Sequence, residues 1–201
     1  MISVYFDLET GGLSPDHPII QIAALAVEED TWEVVAEFQE KLQFDEAMAD
    51  PEALKINHYD AAVWAASAIS PRDAAVKFSN LLQQFRSLSL ISKRTGRPYS
   101  VARLVGHNAA TFDGPRLRSL FDSFPMFLPA DPRVRCTLQR ALWWVEERGA
   151  KHPADYKLAT LCRYFGIHVA DDQAHDALVD VGLTVQLAKA MKHIPAEERM
   201  R

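Results

Sequence analysis

The feature that most constrains the fold is an apolar run at the amino terminus that ends in two carboxylates. Residues 2–6 form this run, and Asp7, Leu8 and Glu9 follow it. Such a run is typical of a buried strand, in which alternate side chains point to opposite faces, so Asp7 and Glu9 should share one face. Carboxylates held this close are costly unless a cation compensates their charge or one of them is protonated. The triplet predicts a divalent-metal site if further carboxylates join it, and an exposed strand edge if it stands alone.

Two later segments supply further carboxylates beside predicted helix starts. Residues 105–113 begin as an apolar strand and turn into a helix, with Thr111 as the predicted N-cap. Asp113 then falls in the first helical turn, where the helix dipole favours a carboxylate. His175 lies five residues before Asp180, so the two do not share a helix face. We expect His175 at the start of the last helix and Asp180 one turn inside it.

Together these segments resemble a known enzyme family. Asp-x-Glu on a first strand, Gly-His-Asn-x3-Phe-Asp in mid-chain and His-x4-Asp on a last helix are similar to the three motifs of the DnaQ-like DEDDh 3′–5′ exonucleases, in the ribonuclease-H-like superfamily. The motifs occur in the family's order and span residues 2 to about 193. The third motif matches the histidine subclass rather than the tyrosine one. The resemblance implies an enzyme that removes nucleoside 5′-monophosphates from the 3′ end of DNA.

The resemblance also implies a role for each catalytic residue. Asp7 would bridge two divalent cations, Mg²⁺ or Mn²⁺, which prefer hard oxygen ligands. Glu9 and Asp180 would complete one cation site, and Asp113 would hold the other. Two cations about 3.5–4 Å apart can stabilise the attacking and leaving oxygens of a phosphodiester. His175 would be the general base on the attacking water, since an ordinary imidazole pKa near 6.5 suits that task.

Substrate contacts implied by the resemblance are spread over three segments. They are Thr10, Leu13, Glu52, Ile56, Asn57 and Asn108. Leu13 and Ile56 would pack on the terminal nucleotide, and Glu52 would accept a hydrogen bond from its 3′-hydroxyl. Asn57 departs from the family pattern, because the proofreading subunit has a histidine there.

The order of predicted elements indicates the fold class. Three strands are followed by strands that alternate with helices, which favours an α/β protein with a mixed sheet flanked by helices. The resemblance specifies a ribonuclease-H-like sheet of five strands. The chain has 201 residues and is 48% hydrophobic, which suits a single domain over residues 1–201. Predicted strands cover residues 2–9, about 19–29, about 32–44, the residues before Asp113 and about 134–137; predicted helices cover residues 51–58, 71–88, 117–121, 138–147, 158–165 and 177–193.

Composition and charge restrict the expected cellular location and the extent of any nucleic-acid-binding surface. The sequence contains no apolar run near 20 residues and lacks the basic start of a secretory signal, so we expect a cytoplasmic protein without membrane association. Cys136 and Cys162 fall in apolar patterns typical of buried thiols. The formal charge of −5 means that any nucleic-acid contact is local. The basic loop at residues 92–98 is either a solvated surface or a phosphate-binding site, whereas His107 is expected to brace its own loop.

The sequence is compatible with several substrates, activities and assembly states. The expected partner is a single-stranded or frayed 3′ end, with DNA favoured over RNA. An RNA-directed 3′–5′ exoribonuclease is the first alternative, and a nucleic-acid-binding module without activity is the second, although the five intact motif residues argue against it. The family contains proofreading subunits and dimers, so polymerase association and a homodimer are further alternatives. The short stretch after the last predicted helix and the lack of a clamp-binding segment favour stand-alone action.

Overall fold

The computed structural model describes residues 1–170 and 176–193. The strands in these ranges are β1 (Ile2–Thr10), β2 (Ile19–Glu28), β3 (Glu33–Lys41), β4 (Leu88–Ile91), β5 (Pro98–Val101), β6 (Leu104–Gly106) and β7 (Arg135–Cys136). The helices are α1 (Pro51–Ile56), α2 (Ala61–Ser67), α3 (Pro71–Gln84), α4 (Asp113–Asp122), α5 (Thr137–Glu147), α6 (Leu158–Tyr164) and α7 (Ala177–His193). None of the helices in the described ranges is long and apolar enough to cross a membrane.

A five-stranded mixed sheet with the order β3-β2-β1-β6-β7 forms the centre of the fold. The β1–β2 and β2–β3 pairs are antiparallel, whereas β6 runs parallel to both β1 and β7. The predicted α/β class and the mixed sheet of five strands are confirmed, and β2 and β3 form a hairpin. The β4 and β5 strands pair with each other in a separate two-stranded sheet.

Helices cover both faces of the large sheet. One face packs against α3 and α4, and its largest buried side chains include Phe6, Phe78 and Phe121. The other face packs against α7 through residues such as Tyr5, Val181 and Val185. A third cluster joins α5, α6 and α7. Because β1 lies at the centre of the sheet between these layers, its carboxyl end emerges between α4 and α7.

Most predicted elements are confirmed with shifted ends. The predicted helix at 71–88 begins at Pro71 and ends at Gln84. The Ser70 hydroxyl accepts a hydrogen bond from the Asp73 N–H at 3.1 Å, so Ser70 is the N-cap of this helix. Cys136 and Cys162 are free and buried, as their apolar surroundings indicated.

The predicted N-cap at Thr111 is wrong. The Thr111 hydroxyl donates to the side-chain oxygen of Asn108 at 3.0 Å, so it serves the preceding loop rather than the helix. The helix begins at Asp113, and Phe112 before it makes no side-chain capping bond. Asp113 nevertheless lies in the first helical turn, which confirms that part of the prediction.

Candidate active site

Two acidic side chains near the carboxyl end of β1 lie on the sheet face covered by α7. Phe6 and Leu8 are buried in the cluster formed with α3 and α4, whereas Tyr5 packs on the α7 side. Side chains alternate along a strand, so Asp7 and Glu9 lie on the same face as Tyr5. Glu9 is buried and Asp7 is half-buried. The shared face predicted from the sequence is therefore confirmed.

A third carboxylate reaches this face from the first turns of α7. The Asp180 N–H donates to the Asp176 carbonyl at 2.9 Å, which places Asp180 one helical turn inside the helix, as predicted. The Asp176 side chain in turn accepts the Leu178 N–H at 2.9 Å. One carboxylate oxygen each from Asp7, Glu9 and Asp180 lie within 4.8 Å of one another. Strand and helix thus bring together three acids that are far apart in the sequence.

Asp113 supplies the fourth carboxylate from the start of α4. Its side chain is 4% exposed, and the backbone N–H groups of Asp113 and Leu8 partly offset the effect of burial on its pKa. It does not belong to the group within 4.8 Å, but its charge acts on both Asp7 and Glu9. Asp113 therefore lies at the edge of the same cluster.

Gly106, at the end of β6, allows the close approach that positions Asp113. A Cβ atom at this residue would lie 2.5 Å from the Ala109 Cβ and 2.9 Å from the Phe6 carbonyl oxygen. Only a residue without a side chain fits between β1 and the following loop. The loop can then turn back over β1 and begin α4 at the carboxyl edge of the strand.

Burial makes this acidic cluster retain protons. Desolvation, followed by the charges of Asp113, Glu9 and Asp180, raises the pKa of Asp7 well above its ordinary value. Burial is also the main cause that raises the pKa of Glu9 to about 8. For Asp113, desolvation raises the pKa to about 7, although Arg116 and two backbone N–H donors oppose the shift. Without a cation, the cluster at neutral pH thus holds protons in place of a counter-charge.

The donor set suits a hard divalent cation. The three oxygens within 4.8 Å of one another are all carboxylate oxygens, and no histidine or cysteine among the described residues joins them. Such ligands favour Mg²⁺ or Mn²⁺ over a softer metal. A cation would also replace the protons that the raised pKa values retain, because it supplies the missing positive charge. Asp7, Glu9 and Asp180 are thus the residues that could hold it.

His175 lies outside the described residues. Its predicted place at the start of the last helix and its role as a general base therefore stay predictions.

The residues expected to hold a terminal nucleotide surround the loop after β1. The Asn57 side-chain amide donates to the Thr10 carbonyl at 2.9 Å, and the Asp50 N–H donates to the Gly11 carbonyl at 2.7 Å. These bonds dock α1 beside the end of β1. Leu13 is 84% exposed and Ile56 is 49% exposed. Glu52 is exposed as well, so these three side chains are accessible, whereas the Thr10 side chain is buried and its hydroxyl donates to the Gly12 carbonyl at 2.9 Å.

Asn108 lies on the other side of the cluster. It is exposed and has a φ of 55°, a left-handed conformation that asparagine tolerates better than most residues. With Asp180, Tyr156 and Lys157 it lines a cleft of about 500 Å³. Asn108 is thus placed where it could contact a ligand bound at the carboxylates.

His107 braces this cleft, as the sequence analysis expected. Its Nε2 atom lies 3.0 Å from the Tyr156 carbonyl oxygen, and its Nδ1 atom lies 3.0 Å from the Thr137 hydroxyl. A carbonyl can only accept, so Nε2 carries the proton and Nδ1 accepts from Thr137. Burial lowers the pKa of His107, which favours this neutral form. With both ring nitrogens engaged, His107 has a structural role.

Two basic residues near the site escaped the sequence analysis. The Arg116 guanidinium donates to the Leu13 carbonyl and stacks 3.6 Å from the centre of the Phe112 ring. It ties the loop after β1 to the start of α4. Its spacing of three residues from Asp113 on a helix was a usable signal. Lys157 is exposed in the cleft beside Asp180, but nothing in its local sequence distinguishes it from other surface lysines.

Solved structures of known proteins align with nearly the whole length of this chain. No family model matches the sequence, and the search of curated proteins found no match. Among solved structures, E. coli exonuclease I bound to single-stranded DNA in a zinc-ion form aligns with a TM-score of 0.74 and 20% identity over 98% of this chain. The fold is that of exonuclease I.

Two further structures give the same result. Exonuclease I without a ligand aligns with a TM-score of 0.72 and 19% identity over 98% of this chain. E. coli exonuclease I in complex with a dT13 oligonucleotide aligns with a TM-score of 0.70 and 19% identity over 96% of this chain. The alignments cover 41–43% of the exonuclease I chains, so this chain corresponds to less than half of their length. At this level of identity the likeness establishes the fold.

Proposed function

We propose that this protein is a metal-dependent 3′–5′ exonuclease that acts on single-stranded DNA and releases nucleoside 5′-monophosphates. The observation that carries the proposal is the carboxylate cluster, in which Asp7, Glu9 and Asp180 approach within 4.8 Å of one another and Asp113 lies beside them. A fold shared with exonuclease I supports the same conclusion. Buried like charges are costly, so a cluster of this kind is expected where a cation compensates them.

The four carboxylates are proposed to hold two divalent cations, Mg²⁺ or Mn²⁺. The charges of all three other carboxylates raise the pKa of Asp7, which supports a shared role for Asp7. It would bridge the two sites, with Glu9 and Asp180 completing one and Asp113 serving the other. Divalent cations supply charge stabilisation for the attacking and leaving oxygens of a phosphodiester. The chain's own contribution is a set of oxygen ligands fixed by a central strand and two helix starts.

His175 is proposed as the general base. A carboxylate that binds a metal is a poor proton acceptor, so the four acids are unsuited to remove the proton from the attacking water. His175 lies five residues before Asp180 in the sequence. An imidazole accepts a proton efficiently near neutral pH. Among the residues placed by motif, it is therefore the best candidate for this step.

Terminal-nucleotide recognition is proposed for the loop after β1 and for α1. Exposed Leu13 and Ile56 offer apolar surface for the terminal base, and the Glu52 carboxylate can accept a hydrogen bond from the 3′-hydroxyl. Asn57 contributes through its bond to the Thr10 carbonyl, which joins the two segments. Asn108 would contact the nucleotide from the opposite side. The loop after β1 and α1 would thus together recognise a free 3′-hydroxyl.

DNA is proposed as the substrate because the exonuclease I structures that share this fold are complexes with DNA oligonucleotides. The test is a side-by-side digestion of single-stranded DNA, duplex DNA and RNA that carry a label at the 5′ end. Progressive shortening from the 3′ end, with nucleoside 5′-monophosphates as products and single-stranded DNA as the fastest substrate, is the expected result. Faster digestion of RNA would instead favour an exoribonuclease. Internal cuts, or no cleavage of any substrate, would refute the proposed activity.

A further inference from the structure

A basic and aromatic surface lies outside the carboxylate site, at the β4–β5 hairpin. The hairpin tip carries Lys93, Arg94 and Arg97, all exposed. Together with Phe127 and Arg133, the hairpin lines a cleft of about 960 Å³. None of the described residues that line it is acidic, although the whole chain has a net charge of −5. The cleft is thus a local departure from the overall charge.

Aromatic and apolar side chains are exposed in the same cleft. Phe127 is 66% exposed, Ile91 is 63% exposed and Tyr99 is 36% exposed. The Tyr99 and Phe127 rings contact each other edge to face, with their centres 6.2 Å apart. Exposed rings among cations are the combination that single-stranded nucleic acids require, since bases stack on the rings and phosphates pair with the cations.

One of the cations in the cleft is held in place by a buried partner. The Arg133 Nε atom donates to one Asp131 carboxylate oxygen at 3.0 Å, and its Nη2 atom donates to the other at 3.1 Å. Asp131 is buried, whereas Arg133 is 76% exposed. The Asp131 carboxylate compensates the charge of the Arg133 guanidinium and also fixes its orientation. No ion pair with Lys93, Arg94 or Arg97 occurs within the described part of the chain, so these three carry the net positive charge.

A second, smaller cleft lies along α4, beside the hairpin cleft. It has a volume of about 310 Å³ and runs along α4 from Gly114, next to Asp113, to Arg118. Pro132 lines both clefts, and the Arg118 guanidinium donates to the Pro132 carbonyl at 3.1 Å. Asp122 is the one acidic side chain among its described lining residues. A strand with its 3′ end at the carboxylates would have to follow α4 from its first turn, where Asp113 lies, to reach the hairpin.

We propose that the hairpin cleft binds the single-stranded part of the substrate on the 5′ side of the nucleotide being removed. This inference rests on the proposed exonuclease function, and it names a binding surface separate from the carboxylates. The carboxylates themselves offer no positive charge to the phosphates further along the strand, so a long strand gains this part of its electrostatic attraction away from the reaction site. Stacking on Tyr99 and Phe127 has no base preference, because every base offers a π-face. Binding at the hairpin should therefore depend on strand length and not on sequence.

The test measures equilibrium binding of single-stranded DNA by fluorescence anisotropy at several salt concentrations. All proteins carry Asp7→Ala, so that the DNA is not degraded. The charge variant is Lys93→Ala/Arg94→Ala/Arg97→Ala, and the aromatic variant is Phe127→Ala. A triple variant of exposed cations elsewhere on the described surface, Arg72→Ala/Lys77→Ala/Lys189→Ala, is the matched control. Oligonucleotides of about 4 and about 16 nucleotides span the usual range of single-strand site sizes.

For the long strand, each lost phosphate contact should reduce the salt slope by about 0.7. The charge variant should thus lower the slope by about 2 and weaken binding by about 100-fold at 0.1 M salt. Phe127→Ala should weaken binding by about 5- to 150-fold at every salt concentration without changing the slope. A short strand has fewer phosphates and bases to place on the hairpin, so both variants should weaken its binding less than that of the long strand.

Unchanged long-strand binding in both hairpin variants would overturn the inference, as would an equal loss in the control triple variant. Circular dichroism of each variant confirms that it is folded. The proposed function is tested separately, by digestion of the short strand with the wild-type protein. A wild-type protein that fails to digest it would refute the exonuclease proposal, while the binding data would still decide the role of the hairpin.

Discussion

Replacing Glu9 with glutamine should stabilise the metal-free protein as the pH rises. Glu9 is 7% exposed and faces the carboxylates of Asp180 and Asp113. Its folded pKa is about 8, against an ordinary value of 4.5. Glutamine keeps the shape and the hydrogen-bonding capacity of the protonated acid but cannot ionise. The variant should therefore escape the cost of ionising a buried carboxyl group.

The direction of the effect follows from proton linkage. Because the folded pKa lies above the unfolded one, the folded state holds the proton more tightly than the unfolded state does. The stability that this contributes is fully present below pH 4.5 and is lost as the pH rises to about 8. One pKa unit corresponds to about 1.4 kcal/mol, so the shift sets an upper limit of about 5 kcal/mol. Relaxation of the site and entry of water reduce the cost of ionising Glu9. We therefore expect the free energy of unfolding of Glu9→Gln to exceed that of the wild type by about 2–5 kcal/mol at pH 8.5.

Urea unfolding in chelator between pH 4.5 and 8.5 measures this gain directly. Wild-type stability should fall relative to Glu9→Gln across that range, and the two should coincide near pH 4.5. Glu33→Gln, which changes an exposed carboxylate on β3, is the matched control and should follow the wild type. Added Mg²⁺ should stabilise the wild type most at the alkaline end, where the cation replaces the lost protons. Parallel pH profiles for wild type and Glu9→Gln in chelator would refute this description of the cluster.

Two further predictions concern the proposed base and the backbone beneath the site. His175→Ala should lower the rate of DNA digestion by about 10²–10⁴-fold with little change in DNA affinity. The rise of the rate with pH through the imidazole titration should also disappear. A variant that keeps both the rate and the pH profile would show that another group activates the water. Gly106→Ala should destabilise the protein by about 1–3 kcal/mol in thermal or urea unfolding, because the added Cβ would lie 2.5 Å from the Ala109 Cβ; stability equal to that of the wild type would show that the loop can move away freely.

The sequence was sufficient for the parts of the site that lie on strongly patterned elements. Alternation along a buried strand placed Asp7 and Glu9 on one face, and an apolar-periodic helix placed Asp180 one turn inside it. Asp113 was placed in the first turn of α4 even though the predicted cap at Thr111 was wrong. Thr111 does not cap the helix because its hydroxyl donates a hydrogen bond to the side chain of Asn108, a loop residue in a left-handed conformation. Which partner a hydroxyl binds depends on the tertiary structure, so the spacing of residues in the sequence does not predict it.

Elements with little burial were missed. The β4 and β5 strands lie outside the large sheet, and most of their side chains are at least partly exposed, so their apolar pattern is weak. The predicted polar loop at residues 92–98 is the tip of the hairpin that they form. The short helix α2 buries only Trp64, although its cap was visible in the sequence: the Asp60 side chain accepts the N–H groups of Ala62 and Val63 at 2.8 and 3.1 Å. A capping signal without an apolar periodic stripe is easily overlooked.

The most direct test of the central claim is the metal dependence of exonuclease activity in matched acidic variants. Single-stranded DNA labelled at the 5′ end is incubated with wild type, Asp7→Ala, or the exposed-acid control Glu33→Ala, in chelator and then in Mg²⁺ or Mn²⁺. Wild type and Glu33→Ala should shorten the strand from its 3′ end only when the cation is present. Asp7→Ala should remain folded and inactive under every condition, because the carboxylate proposed to bridge both cations is gone. Full activity of Asp7→Ala, or of the wild type in chelator, would contradict the assignment of the carboxylate cluster as a metal-dependent catalytic site.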